Sequence, residues 1–188
     1  MAANTRSVDP RTTIDIGPGG LEVLRRIAAL PRWPEDASDA LRQQLLVEES
    51  VLRDELISYG YAMDSGDVDA VMEYFSDDVV ITNPRGRYTG IDIVRKNYRY
   101  LFDQWTAMRH LWANITVRFP LREDEAYRVS YIYGLLSSPN KAFGAVSTDA
   151  HRLRKIGGRW KIVERAITDD LSHSISVFGG PLEKKPEL

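Results

Sequence analysis

From Leu45 to Met63 the apolar positions Leu45, Leu52, Leu56, Tyr59 and Met63 recur at helical spacing, which predicts a long amphipathic helix. Ser65-Gly66 ends it, and Asp67 is placed to N-cap a short second helix from Val68 to Phe75. Asp77-Asp78 leads into the strand-like run Val79-Val80-Ile81-Thr82, closed by a turn at Asn83-Pro84-Arg85-Gly86. Gly90 precedes a third helix, from Ile91 to about Trp105, with Ile93, Val94, Tyr98, Leu101 and Phe102 on its inner side. Beyond it the period changes to two. His110 to Phe119 alternates, with Leu111, Ala113, Ile115, Val117 and Phe119 on one face and His110, Trp112, Asn114, Thr116 and Arg118 on the other. Strands follow over Ala126–Leu136, Phe143–Ile156 and Arg159–Thr168, the last two joined by the hairpin signal Gly157-Gly158. This order predicts an α+β fold, with helices packed on one face of a curved antiparallel sheet.

The ends of the chain are organised differently. Residues 1–38 form an N-terminal arm, polar and without periodicity up to Gly17-Pro18-Gly19-Gly20. The arm holds a short helix from Leu21 to Leu30, with Leu21, Leu24, Ile27 and Ala28 on one side, broken by Pro31-Arg32-Trp33-Pro34. The main domain covers 39–172, and a tail covers 173–188. Hydrophobic residues make up 43% of the chain and charged residues 28%, the profile of a globular protein with an ordinary core. A formal net charge of −2 argues against general nucleic-acid binding, which needs excess Lys and Arg. No apolar run is long enough to span a membrane, and no continuous apolar segment follows the N-terminal charges, so a cytoplasmic location is expected. With Cys 0, disulfides, thiolate nucleophiles and cysteine-ligated metals drop out. The three histidines show no metal-ligand spacing, so neither a metal nor a cofactor is expected.

Two residues stand out within that frame. Asp64 sits at the C-terminus of the long helix, the negative end of the macrodipole, where Lys or Arg would be the better local choice. A residue placed against local preference points to function. His110 opens the alternating strand. If the fold joins them, the carboxylate holds one ring nitrogen and leaves the other to move a proton. The bland readings are a helix-terminating Asp-Ser-Gly-Asp turn and a hydrogen-bonded histidine on a sheet. Tyr59, Tyr61 or Tyr131 would donate to a leaving oxygen or an enolate, and Arg85, Arg87 or Arg109 would do so with charge. The sequence does not choose among them. His151 lies in the charged run His151-Arg152-Leu153-Arg154-Lys155 and reads as a surface residue; His173 falls in the tail. Trp105, Trp112, Tyr131, Tyr133 and Phe143 fall around the expected mouth of the sheet and suit an aromatic ligand, or simply an aromatic core.

The runs Tyr61-Ala62-Met63-Asp64-Ser65-Gly66-Asp67, Tyr74-Phe75-Ser76-Asp77-Asp78-Val79, Arg87-Tyr88-Thr89-Gly90-Ile91, Met108-Arg109-His110 with Asn114, and Gly157-Gly158-Arg159-Trp160-Lys161-Ile162 resemble the SnoaL-like branch of the NTF2-like superfamily. That branch holds polyketide cyclases, scytalone dehydratase-like enzymes and dehydrohalogenases. The resemblance covers roughly residues 45 to 170 and implies an NTF2-like cone: a curved antiparallel sheet wrapped around about three helices, here with an extra N-terminal arm. It implies a dyad of Asp64 and His110, with Tyr59 as a third catalytic candidate. Substrate contacts are expected from Tyr61, Trp112, Asn114, Tyr131, Ser147 and Asp149. Members of the dehydratase subgroup carry a second pocket histidine on the following strand, where this chain has Tyr133-Gly134-Leu135-Leu136. The expected function is cofactor-independent acid–base chemistry of the lyase, dehydratase or isomerase type on a hydrophobic small molecule. Two other classes stay open. One is the non-catalytic small subunit of a ring-hydroxylating dioxygenase, whose end resembles Arg165-Ala166-Ile167-Thr168-Asp169-Asp170 and Ser176-Val177-Phe178; the other is a ligand-binding module. A homodimer or trimer is expected, because an apolar strand face opposite the helices needs cover.

Overall fold

A computed structural model describes residues 14–17 and 19–175. The elements are α1 (Leu21–Ala28), α2 (Asp39–Ser65), α3 (Val68–Met72), β1 (Phe75–Asn83), β2 (Gly86–Thr89), α4 (Ile91–Asp103), β3 (Ala107–Arg118), β4 (Glu125–Ser138), β5 (Lys141–Ile156) and β6 (Arg159–Ile175). The first thirteen residues of the arm, Pro18 of its hinge, and the tail after Ile175, with Ser176-Val177-Phe178, lie outside the described residues.

Local chemistry sets the helix ends that matter for the site. The Ser38 hydroxyl accepts from the Leu41 N–H at 3.2 Å and starts α2. Gly66 stops it in the left-handed region at φ 71°, one residue after Ser65. The Asp67 carboxylate then accepts from the N–H groups of Asp69 and Ala70 at 2.9 and 3.0 Å and opens α3. Asp64 is thereby fixed in the last turn of α2, with the chain reversing immediately behind it. Among the described residues no helix is long and apolar enough to cross a membrane.

The sheet runs β2-β1-β6-β5-β4-β3. Strands β3 to β6 form the expected antiparallel meander. Two features differ from the sequence reading. Residues 86–89 pair with β1 across the Asn83–Gly86 turn and make an edge strand. The β1–β6 pairing is parallel, with Ile81 opposite Arg165, so the first long strand lies beside the last. The concave face holds the main core, where Leu45, Leu52, Leu56, Tyr59 and Met63 of α2 meet Val117, Phe119, Leu153 and Ile162.

The helices do not all share that face. On α1 the buried residues are Val23 and Ile27, while Leu21 is exposed, so its apolar side is rotated from the expected one. Together with Ile16 they cover Tyr127, Val129, Ala150 and Ala166 on the convex face. Arg118 fastens this arm by donating to the Leu30 and Ala28 carbonyls at 3.1 and 3.2 Å. The arm thus packs on its own sheet. Farther along the convex face Leu111 and Leu171 stay exposed.

Strand β3 departs from simple alternation. Ala113 pairs with Tyr131 but Thr116 pairs with Val129, so β3 carries one extra residue there. Asn114 takes φ 53° at this bulge. The residues facing inward therefore switch from even to odd: His110 and Trp112 before the bulge, Val117 and Phe119 after it. Asn114, Thr116 and Arg118 do not share a face with His110. Strand β6 also outruns its expected end, because a second irregularity beside Val146 and Ser147 lets pairing continue through His173 to Ile175.

Candidate active site

The last turn of α2 and the start of β3 meet at a two-point contact. Asp64 Oδ1 accepts from His110 Nδ1 at 2.7 Å, and Oδ2 accepts from the His110 backbone N–H at 3.2 Å. A carboxylate offers only acceptors, so Nδ1 carries the ring proton. The Nε2 lone pair is left without a partner among the described side chains, beside Gly134 on β4. Both side chains are largely buried, 8% exposed for His110 and 15% for Asp64. Burial pushes the His110 imidazole below its ordinary value of 6.5, and Asp64 only partly offsets this. His110 is therefore neutral near pH 7 and able to take up a proton.

His110 lines a cavity of about 230 Å³ between the sheet and α4. Met63, Ile132, Leu136, Phe143 and Ala145 make its apolar wall, Tyr98, Leu101 and Trp105 close it from the α4 side, and Asn83, Pro84 and Arg85 of the β1–β2 turn form another edge. Ser147, Arg165 and Asp169 supply its polar patch. Gly134 leaves room beside the His110 ring: a Cβ there would sit 3.7 and 3.8 Å from His110 Cδ2 and Nε2.

A buried ionic network supports this patch. Arg165 Nε and Nη2 donate to the two oxygens of Asp149 at 2.8 and 3.1 Å, a bidentate pair. Its Nη1 donates to the Tyr59 and Tyr98 hydroxyls at 2.8 and 2.7 Å. Against its burial, the charge of Arg165 and the two hydrogen bonds it donates hold the Asp149 carboxyl well below the usual carboxylate range. Burial drives the Tyr59 phenol well above 10. Trp112 Nε1 donates to Asp149 Oδ2 at 3.2 Å, and its indole lies 5.9 Å from the His110 ring. His151, read from sequence as a surface residue, is buried on the concave face. Arg128 donates to its Nδ1 through Nε and Nη2 at 3.1 and 2.8 Å, so the proton of His151 is on Nε2, 3.1 Å from Asp149 Oδ1 but out of line for a good hydrogen bond. Burial lowers His151 to about 4 and Arg128 to about 10.

The residues singled out from sequence fall into three groups. His110 and Ser147 line the cavity, and Asp64 holds His110. Tyr59, Trp112 and Asp149 lie behind the wall as supports. Tyr61, Asn114 and Tyr131, expected as ligand contacts, do not line this cavity. Tyr61 is 72% exposed, because two residues along a helix turn it about 200° from Tyr59. Asn114 is exposed at the bulge. Tyr131 pairs with Thr148 in the same register as Val129 with Ala150, on the convex face. Sequence reasoning missed Arg165 and did not give Tyr98 a polar role. Among the described residues no cluster of three or more His, Cys, Asp or Glu side chains is placed to hold a metal ion.

A family model described as a SnoaL-like domain matches residues 45–166. No curated protein sequence matches. Solved structures share the fold at low identity. A candidate scytalone dehydratase from Novosphingobium aromaticivorans DSM 12444 superposes with a TM-score of 0.64 at 19% identity, covering 76% of this chain and 97% of its own. A candidate aromatic ring hydroxylase from Novosphingobium aromaticivorans gives 0.65 at 19% identity, with 69% and 94% covered. The hexachlorocyclohexane dehydrochlorinase LinA-type3 from Novosphingobium barchaimii LL02 gives 0.60 at 16% identity, with 72% and 97% covered.

Proposed function

This chain belongs to the SnoaL-like domain family, and we propose that within it the protein is a cofactor-independent acid–base enzyme, a lyase of the dehydratase kind or an isomerase. The observation that carries the reading is the neutral His110 base, clamped at Nδ1 by Asp64 and presenting Nε2 to a largely apolar cavity. In this reading Nε2 takes a proton from a carbon of the bound molecule, and Asp64 stabilises the imidazolium that forms. The imidazolium then returns the proton, to a departing oxygen in a dehydration or to another carbon in an isomerisation. Phe143, Trp105 and Leu101 suit a flat, hydrophobic substrate of one or two rings, of which an aromatic compound is the simplest. Fold relatives described as a candidate scytalone dehydratase and a dehydrochlorinase support a lyase as the first class to test.

The alternative of a non-catalytic dioxygenase subunit draws on the fold relative described as a candidate ring hydroxylase. It leaves an oriented base in a cavity with nothing to do, so the enzymatic reading is preferred. The test is a panel of small aromatic β-hydroxy and β-halo compounds, followed for elimination and for deuterium uptake from heavy water. His110→Ala is expected to lower the turnover found by about 10²- to 10⁴-fold. Undiminished turnover in that variant overturns the assignment of His110 as the base.

A further inference from the structure

His110 has a second neighbour besides Asp64 in the layer behind the cavity. Trp112 lies two residues on, on the same face of β3, and does not line the cavity. Its indole lies against the His110 imidazole, with ring centroids 5.9 Å apart and planes inclined by 31°, an offset stack. Three neighbours fix the indole in that pose. Nε1 donates to Asp149 Oδ2 at 3.2 Å. The Tyr59 ring lies beside it, 6.0 Å between centroids. Gly60 of α2 leaves the space for it: a Cβ there would fall 2.3 Å from Trp112 Cζ3. A glycine inside a helix loses more backbone freedom on folding than any other residue, so it is a local cost. A smaller side chain at position 112 would not require it. His110 is held by Asp64 at both Nδ1 and its backbone N–H, so neither ring is free to turn away from the other.

We propose that Trp112 is a positioning residue for the base, whose indole face stabilises the imidazolium formed when His110 Nε2 takes up a proton. This rests on the reading of His110 as base. The negative face of an aromatic ring attracts a cation within about 6 Å of its centroid, Trp most strongly, and more so where water is excluded. The imidazolium gains from that face far more than the neutral imidazole does, so the stack favours the protonated form selectively. Asp149 adds to this. A carboxylate that accepts the indole N–H polarises the ring and leaves its face richer in electrons, and Arg165 keeps Asp149 ionised for the purpose. The charged and titratable groups facing His110 are Asp64 from α2, Asp149 from β5, Arg165 and Asp169 from β6, and Tyr98 from α4. Arg165 and Asp149 act on it with opposite sign and are paired to each other. Asp64 is then the carboxylate in contact with the ring, and Trp112 favours the imidazolium without adding a further charge to an apolar site.

The test is a fluorination series at position 112. Tryptophan carrying one, two or four ring fluorines nearly keeps the size of the indole, keeps its N–H, and drains charge from its face step by step. The His110 midpoint, followed by nitrogen-15 NMR of the histidine-labelled full chain, is expected to fall along the series, by about 0.4 to 1.5 pH units at four fluorines. A midpoint that stays level or rises overturns the proposal. On a substrate from the elimination panel, Trp112→Leu is expected to lower kcat by about 2- to 30-fold with KM level. Trp112→Phe, which restores a π face without the N–H, is expected to recover part of that loss. A Trp112→Leu variant that raises KM and keeps kcat makes the indole a ligand contact and overturns the proposal too. The titration needs no substrate, so it judges the stack separately from the chemistry. Full turnover in His110→Ala would sink His110 as the base and leave a fluorine-dependent midpoint in place.

Discussion

Replacing Asp64 by Asn keeps the size of the side chain and removes one acceptor. The site needs two, since both the His110 backbone N–H and the Nδ1–H point at the carboxylate. With its oxygen on Nδ1–H, Asn leaves its amide facing the backbone N–H, donor against donor, and that unpaired group costs about 1–3 kcal/mol. With its oxygen on the backbone N–H, its amide donates to Nδ1, which must give up its proton to Nε2. Both contacts between the side chain at position 64 and His110 are then satisfied and the new Nε2–H faces the cavity, where solvent can meet it, so the second arrangement wins by a factor of about 5 to 150. The lone pair has left the cavity. Asp64 also raises the His110 pKa against the larger effect of burial, so its loss moves the midpoint still farther below 6.5. The assay is nitrogen-15 NMR of a histidine-labelled chain, with His151 as internal control. In wild type His110 should carry its proton on Nδ1 and His151 on Nε2, opposite tautomers set by Asp64 and by Arg128. In Asp64→Asn, His110 should switch and His151 should not. A variant whose His110 keeps both its Nδ1 proton and its pH midpoint refutes the claim that Asp64 sets the tautomer.

The support layer makes two further predictions. In Gly60→Ala the new Cβ would lie 2.3 Å from Trp112 Cζ3, so the indole must shift; overpacking of about 1–3 kcal/mol outweighs the helix gain of about 1 kcal/mol, and a variant melting above wild type would count against this. Its indole N–H resonance should also report loss of the bond to Asp149. Stability should fall on mild acidification: unfolded His151 binds a proton below about 6.5, whereas in the fold it does so only near about 4, so the unfolded state binds more protons between those values. At about pH 5.5, before most carboxylates titrate, this amounts to about 1 kcal/mol, with His110 adding in the same direction. Urea melts that are unchanged between about pH 7.5 and 5.5 contradict the buried, neutral state of His151.

Asp64 and His110 stood out in the sequence because Asp64 occupies an unfavourable helix end and His110 begins an alternating strand, but their contact spans 46 residues and was expected from resemblance, not from spacing. His151 was misread because its neighbours Arg152, Arg154 and Lys155 are charged. Strand alternation held the better signal: Leu153 is buried on the same face as His151. Arg165 was harder. Counting outward from the Gly157-Gly158 hairpin puts Ala150 opposite Arg165 and so turns Arg165 to the convex face. The observed partner is His151, because the register slips by one between Leu153–Ile162 and Arg152–Glu164. Nothing in the run Lys161-Ile162-Val163-Glu164 marks that slip.

The irregularities are where the site is made. A one-residue shift of register turns every later side chain to the other face of a strand. On β3 the shift at Asn114 lets one strand present His110 and Trp112 to the cavity side and still send Val117 and Phe119 into the core; with strict alternation one pair or the other would face out. On β6 the shift beside Val163 lets the strand bury Ile162 and then bring Arg165 inward, opposite His151 and within reach of Asp149. Each shift separates a part of the strand that fills the core from a part that carries polar groups. Removing the extra residue at Asn114 would therefore not simply shorten β3: it would keep either the core contacts or the Asp64–His110 contact, and not both.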